Sequence, residues 1–145
     1  MIVVEKSVLV FYSARQMFAL VDRVEEYPDF LPWCGGTEVL RHSDKALEAT
    51  VHIDYHHLKQ SFSTENVRQA PHLIEMKFRH GPFSHLEGSW RFVELDESAC
   101  KIEFKLSYEF SSKIMEKLVS PVFGHIANSF VEAFVQRAEG IYGES

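Results

Sequence analysis

Cysteine is scarce in this 145-residue chain: Cys34 and Cys100 are the whole supply. Two thiols without metal-ligand spacing make neither a zinc site nor a disulfide scaffold, and reduced thiols in a cytoplasmic protein are the expectation. Positive charge is also short, with 15 Lys and Arg against 21 Asp and Glu, a net of −6. Phosphate binding rests on Lys and Arg, so the balance argues against DNA as a partner, although it leaves room for a local basic patch. Long apolar runs are missing; none approaches the ~18 residues of a membrane span. The start, Met1-Ile2-Val3-Val4-Glu5-Lys6, puts charges where a secretory signal needs an apolar core. There is no phosphate loop, nucleophile motif or carboxylate dyad. Cys34 has Asp29 nearby, but no base is fixed by spacing. The 8 histidines form no metal-binding pattern. His56 and His57 point to opposite strand faces, and His52 and His56 lie about 13 Å apart on one face. Neither a metal site nor an enzyme is expected.

What the chain has in quantity is apolar patterning. Hydrophobic residues make up 46%, charged residues 25%, and there are 12 Phe, the composition of an ordinary soluble domain. One domain over residues 1–145 is expected. The clearest element is a helix from Ser120 to Tyr142. At 3.6 residues per turn, Val122, Phe123, Ile126, Ala127, Phe130 and Val131 gather on one side, continued by Ala133, Phe134, Ala138 and Ile141. This arc covers roughly half the circumference, wider than the ~100° stripe of a surface helix. Such a helix needs a concave surface to hold it. Ser120-Pro121 reads as N-cap and first helical residue, with Gly143 as the stop and a short lead helix, Lys113 to Leu118, kinked into it.

The preceding segment supplies that surface. Cys100, Ile102, Phe104, Leu106, Tyr108 and Phe110 alternate with polar residues, so this strand buries one face. Earlier in the chain, Ile2–Tyr12 reads as a strand and Ala14–Val24 as a helix capped by Ser13. A short helical turn or loop, Tyr27–Trp33, follows, punctuated by Pro28 and Pro32 and ended by Gly35 and Gly36. Glu38–His42, Lys45–His57, Gln60–Arg68, Leu73–His80 and Leu86–Phe92 read as strands, with Gln60–Arg68 the least patterned. The fold class is therefore α+β. A seven-stranded curved antiparallel sheet wraps a long C-terminal helix, with two short helices after the first strand.

Three features each carry two readings. The aromatic loop Tyr27–Trp33 is a lid over a pocket or a packed plug. As a lid it would be the cheapest element to move, with Trp33 at the rim. Gly88, mid-strand between Leu86 and Trp90, marks a bend or bulge, or space left for a ligand. Arg137, near the centre of the apolar arc, snorkels to water at the helix end, or meets a polar ligand head or a buried acid.

Several runs carry a family likeness: Ser13-Ala14 with Met17-Phe18 and Leu20-Val21; Tyr27-Pro28-Asp29-Phe30-Leu31-Pro32-Trp33-Cys34; Gly81-Pro82-Phe83 with Leu86 to Phe92; and Ala133 to Ala138. Together with the element order, they resemble the coenzyme-Q-binding protein family. That family belongs to the START-like helix-grip superfamily of polyketide cyclases, dehydrases and lipid transporters, and it includes the bacterial ribosome-association toxins. The resemblance implies a hydrophobic cavity between sheet and helix that holds ubiquinone or another isoprenoid lipid, in a carrier or chaperone supporting respiration. The expected walls are Phe30, Leu31 and Trp33 from the loop, Trp90, Phe104 and Tyr108 from the sheet, and Ile126, Phe130 and Phe134 from the helix. The toxin branch implies instead binding to the large ribosomal subunit and a block on subunit joining. A cyclase or dehydrase enzyme is a third reading. No mitochondrial targeting extension is seen, so a bacterial, cytoplasmic protein is expected, with transient contact at the inner membrane.

Overall fold

The computed structural model describes residues 1–143. Strands β1 (Ile2–Val10), β2 (Cys34–His42), β3 (Ala46–Tyr55), β4 (Leu58–Gln69), β5 (Leu73–His80), β6 (Phe83–Asp96) and β7 (Ala99–Phe110) form one antiparallel sheet. Their order, β1-β7-β6-β5-β4-β3-β2, is a meander from β2 to β7 with β1 closing on the outer side of β7. Helix α1 (Ala14–Asp22) and a 3-10 helix (Val24–Asp29) follow β1, and α2 (Lys113–Tyr142) ends the described chain. This is the helix-grip arrangement that the alternating strands and the one-sided helix imply.

The local reasons are those visible in the sequence. β7 buries every second residue, from Cys100 through Phe110. Ser13 Oγ accepts the backbone N–H of Gln16 at 3.1 Å, and Gln16 Oε1 accepts that of Ser13 at 2.8 Å. This capping box satisfies two of the donors that open α1. The buried face of α1 is Ala14, Met17, Phe18, Leu20 and Val21. In the core behind it, Trp90, Phe92 and Phe134 are fully covered.

Four details differ from expectation. First, α2 is one continuous helix of 30 residues capped by Ser112, whose Oγ accepts the N–H of Met115 at 3.1 Å. Ser120 is therefore interior and caps nothing. Pro121 and Lys117 both lie on the exposed side, where water can take the carbonyl that the missing proline N–H leaves free. Second, Ile141 is 43% exposed, so the buried arc ends at Ala138. Third, β2 begins at Cys34 and runs through Gly35 and Gly36, which do not end the segment. A Cβ at Gly35 would lie 2.9 Å from that of Asp54, and the register shifts between Cys34 and Gly36. Glycine is thus what lets β2 pass so close to β3. Fourth, Gly88 is not a bulge. It keeps register with Met76 on β5 and Leu106 on β7, and the room left by its missing side chain is taken by the Met76 methyl, 2.4 Å from where a Cβ would be.

By length and hydropathy alone α2 would cross a bilayer. Here its apolar side is seated in the sheet. The far end of α2 is tied to α1 and the end of β1. Tyr12 donates its hydroxyl to the Gly143 carbonyl at 2.6 Å, and Tyr142 donates to the Gln16 carbonyl at 3.1 Å.

Position along α2 should therefore decide mutational cost. Phe134→Ala should cost about 3–5 kcal/mol, as for a buried phenylalanine left as a cavity, while Ile141→Ala should stay within about 0.5 kcal/mol. Urea-unfolding midpoints of the two variants check this. Equal losses would mean that α2 is not gripped as described.

Candidate functional site

Between the concave face and α2 lies an apolar cavity of about 60 Å³. Phe123, Ile126, Ala127 and Phe130 of α2 cover it, and Val24, Tyr27 and Trp33 close one side. The sheet contributes Ala49 and Val51 from β3, Phe62, Thr64 and Asn66 from β4, Met76 from β5, Leu86 from β6, and Phe104 and Leu106 from β7. A water's share of liquid is about 30 Å³, whereas pockets for small molecules run about 300–1,000 Å³. The concavity is thus largely filled by its own side chains. Phe130 and Met76, both half-buried, are among those that fill it.

Trp33, Phe104, Ile126 and Phe130 of the expected walls line this space. Phe30, Leu31, Trp90, Tyr108 and Phe134 do not; they pack behind it. Trp90 has Phe104, Phe130 and Phe134 at ring separations of 4.7, 5.6 and 5.3 Å. Tyr108 stands 4.8 Å from Phe123. Leu31 is fully covered and accepts the N–H of Cys34 at 3.0 Å. Phe30 meets Phe134 at 5.1 Å. Trp33 is only 3% exposed, so it belongs to the wall and not to a solvent-facing rim. The loop aromatics are packed at their own level, which is the plug geometry.

Sequence reasoning missed Thr64, Asn66 and Met76. The signal was the poor alternation of β4, which looked like noise. In fact its inward row is Phe62, Thr64 and Asn66, opposite Val51, Ala49 and Leu47 of β3. Thr64 and Asn66 are buried polar residues facing an apolar space, and Thr64 Oγ1 donates to Asn66 Oδ1 at 2.8 Å.

Burial opposes ionisation of the tyrosines and the thiol nearby. Tyr27 donates its hydroxyl to the Val21 carbonyl at 2.5 Å, and burial, followed by the charges of Asp22, Cys34 and Glu25, pushes its pKa well up. Burial also raises Tyr108 and Cys34. The Cys34 thiol is therefore less ionised than a free one, which removes the thiolate that a nucleophile requires. His52 is occupied by Ser61 at 2.6 Å and Glu38 at 3.0 Å.

Arg137 resolves toward acids. Its Nη2 reaches Glu26 Oε1 at 3.4 Å and Asp29 Oδ2 at 4.0 Å, and its guanidinium lies 4.9 Å from the Phe30 ring centre. Both carboxylates sit on the 3-10 helix, so the pair fastens that segment to α2. The carboxylates are partly exposed, so this is a screened contact of modest strength.

A model of polyketide cyclases, dehydrases and lipid transport proteins matches residues 10–135. The chain belongs to that family. Within it, a Vibrio cholerae protein named ribosome association toxin RatA is 42% identical over 141 residues, spanning 97% of this chain and 98% of the relative. A Xenopus laevis protein named coenzyme Q-binding protein COQ10 homolog B is more distant, 29% identical over 91% of this chain and 56% of its own length. The Zhui aromatase/cyclase from Streptomyces sp. R1128 shares the fold with a TM-score of 0.82, at 16% identity over 95% of this chain and 93% of its own. At that identity the likeness speaks for fold alone. The RatA match is the closer of the two and spans nearly the whole of both chains.

The buried thiols predict an alkaline limit. Burial raises Cys100 from 9.0 to about 11. The folded state therefore binds that proton more tightly than the unfolded chain does. The resulting stability is complete below about pH 9 and is lost as pH rises through about 11. Urea melts across this range should fall more steeply for the wild type than for Cys100→Ala; matching slopes would count against the shift.

Proposed function

We propose that this protein associates with the large ribosomal subunit and hinders its joining to the small one, as a cytoplasmic, non-enzymatic toxin. The observation that carries this reading is the end-to-end match to a protein named ribosome association toxin RatA, 42% identical with 98% of that relative covered. Two physical features support it. The interior has little free space, which directs attention to the outer surface. Several lysines also gather at one end. By strand register, the β3–β4 turn, the β5–β6 turn, the start of β1, the end of β7 and the start of α2 share one end of the molecule. That end carries Lys59, Lys113, Lys117, His56, His57, His80 and the terminal amine against Asp54, Glu109 and Glu116. The other end is mixed, with Glu94, Asp96 and Glu97 of the β6–β7 turn beside Arg41, Lys45, Arg68 and Lys101. The lysines of that end, Lys59, Lys113 and Lys117, are where ribosomal RNA phosphates would be met.

Sedimentation of purified subunits with the protein tests this. The protein should travel with large subunits and lower the yield of joined ribosomes. Lys113→Glu with Lys117→Glu should weaken co-sedimentation and flatten its salt dependence by about 1 in slope per cation lost. Absence of the protein from the large-subunit fraction at low salt would refute the reading.

A quinone carrier is the second reading, supported by the similarity to the COQ10 homolog and by the apolar lining. It requires the cavity to grow several-fold. A ubiquinone-like lipid in a solvent extract of the purified protein is the result it needs.

A further inference from the structure

We propose that Ser61, His52 and Glu38 form a nucleophilic site that cleaves small uncharged carboxylic esters through an acyl-Ser61 intermediate. The site lies on the face of the sheet turned away from α2. It is a second activity, separate from ribosome association, which needs no chemistry; either can fail alone.

The three residues come from the adjacent strands β4, β3 and β2. Leu47, Ala49, Val51 and Ile53 point inward from β3, so His52 and Asp54 point outward. Ser61 stands directly opposite His52 in the register. Glu38 is the diagonal neighbour on β2, where Gly36 is the direct partner of His52. Ser61 Oγ lies 2.6 Å from His52 Nδ1, and His52 Nε2 lies 3.0 Å from Glu38 Oε2. A carboxylate only accepts, so in the neutral ring the proton sits on Nε2. That leaves the Nδ1 lone pair to accept the Ser61 hydroxyl. A hydroxyl, a base and a group that orients the base are thus linked in one chain, the arrangement that activates a serine.

A depression of about 350 Å³ opens beside the hydroxyl, lined by Gly35, Ile53, Asp54, Lys59 and Gln60 together with His52 and Ser61. That volume suits a small molecule. Lys59 lies two residues before Ser61 on the same face and takes part in no ion pair among the described residues. Its ammonium is the group to meet a developing oxyanion. Asp54 stands opposite Lys59 in the register. One charge of each sign leaves the depression without a net charge, and Asp54 repels a substrate that carries a carboxylate. An uncharged ester fits both.

In the first step Ser61 Oγ bonds to the ester carbonyl carbon while its proton passes to His52 Nδ1. Glu38 stabilises the imidazolium so formed. The bond from that carbon to the alcohol oxygen then breaks, and His52 returns the proton to the departing oxygen. Water repeats both moves on the acyl-Ser61, releasing the free acid and restoring the hydroxyl. Ser61 and His52 touch the reacting atoms; Glu38 is a positioning residue.

Diisopropyl fluorophosphate and 4-nitrophenyl acetate, applied to the full chain, test this. The first phosphorylates an activated serine with loss of fluoride. Digestion and mass spectrometry of the treated wild type should place one adduct on Ser61, and Ser61→Ala should remove it. His52→Gln should slow both labelling and 4-nitrophenyl acetate turnover by about a hundredfold, the low end of what a general base supplies. Long-range proton–nitrogen NMR should show His52 as the Nε2–H tautomer in the wild type and as a mixture in Glu38→Ala. An unlabelled Ser61 overturns the inference. So does ester turnover that Ser61→Ala leaves unchanged, labelling that His52→Gln leaves unchanged, or a wild-type ring protonated on Nδ1 alone. The wild-type labelling and NMR arms stand even if a variant does not fold.

Discussion

The concave face of the sheet is apolar along β3, β6 and β7, and it cannot be left to water. A single long helix covers most of it. That requirement sets the width of the apolar arc on α2, the curvature of the sheet and the placing of the ties at the helix end. The aromatic cluster of Trp90, Phe104, Phe130 and Phe134 is where helix and sheet meet, with ring separations between 4.7 and 5.9 Å. Edge-on and tilted pairs at such distances add to the area they bury. The loop Tyr27–Trp33 then completes the cover, fastened by Arg137 from outside and by the Tyr27 hydroxyl from within.

A cover this close leaves only a remnant of the cavity that the fold family is built to hold. What remains is not uniform. Its wall is hydrocarbon except at Thr64 and Asn66, and its most adaptable member is Met76. Filling by flexible side chains differs from filling by rigid ones. The former can be displaced by a molecule that returns the lost contacts, and the latter cannot without strain. The charged turns at one end of the sheet engage nothing in the cavity, and the cavity does not reach those turns.

The shared architecture explains why relatives with different names superpose so well. A gripped helix is a solution to covering a curved sheet, and it places no demand on what the outer surface touches. The aromatase fold match at 16% identity and the ribosome-toxin match at 42% rest on different things. The first reflects the apolar periodicity that any such chain must keep. The second requires agreement at surface positions as well.

By itself the sequence determined the order of elements along the chain, the one-sided helix and the capping of α1 by Ser13. These follow from local rules: side-chain period, proline and glycine geometry, and charge balance act within a few residues of one another. Tertiary structure alone decided the rest. Whether Ser120 begins a helix depended on which side Pro121 faces. The meaning of Gly88 depended on Met76, twelve positions earlier in the chain but adjacent in the sheet. The inward turn of Thr64 and Asn66 was hidden because a polar residue in a strand reads as solvent-facing until its neighbours are placed. Trp33, an aromatic in a proline-rich loop, could be rim or wall, and only the packing of Phe130 against it at 6.1 Å settled that it is wall. Size was the deepest unknown. A cavity is the space that many distant side chains fail to fill, and no local pattern records it.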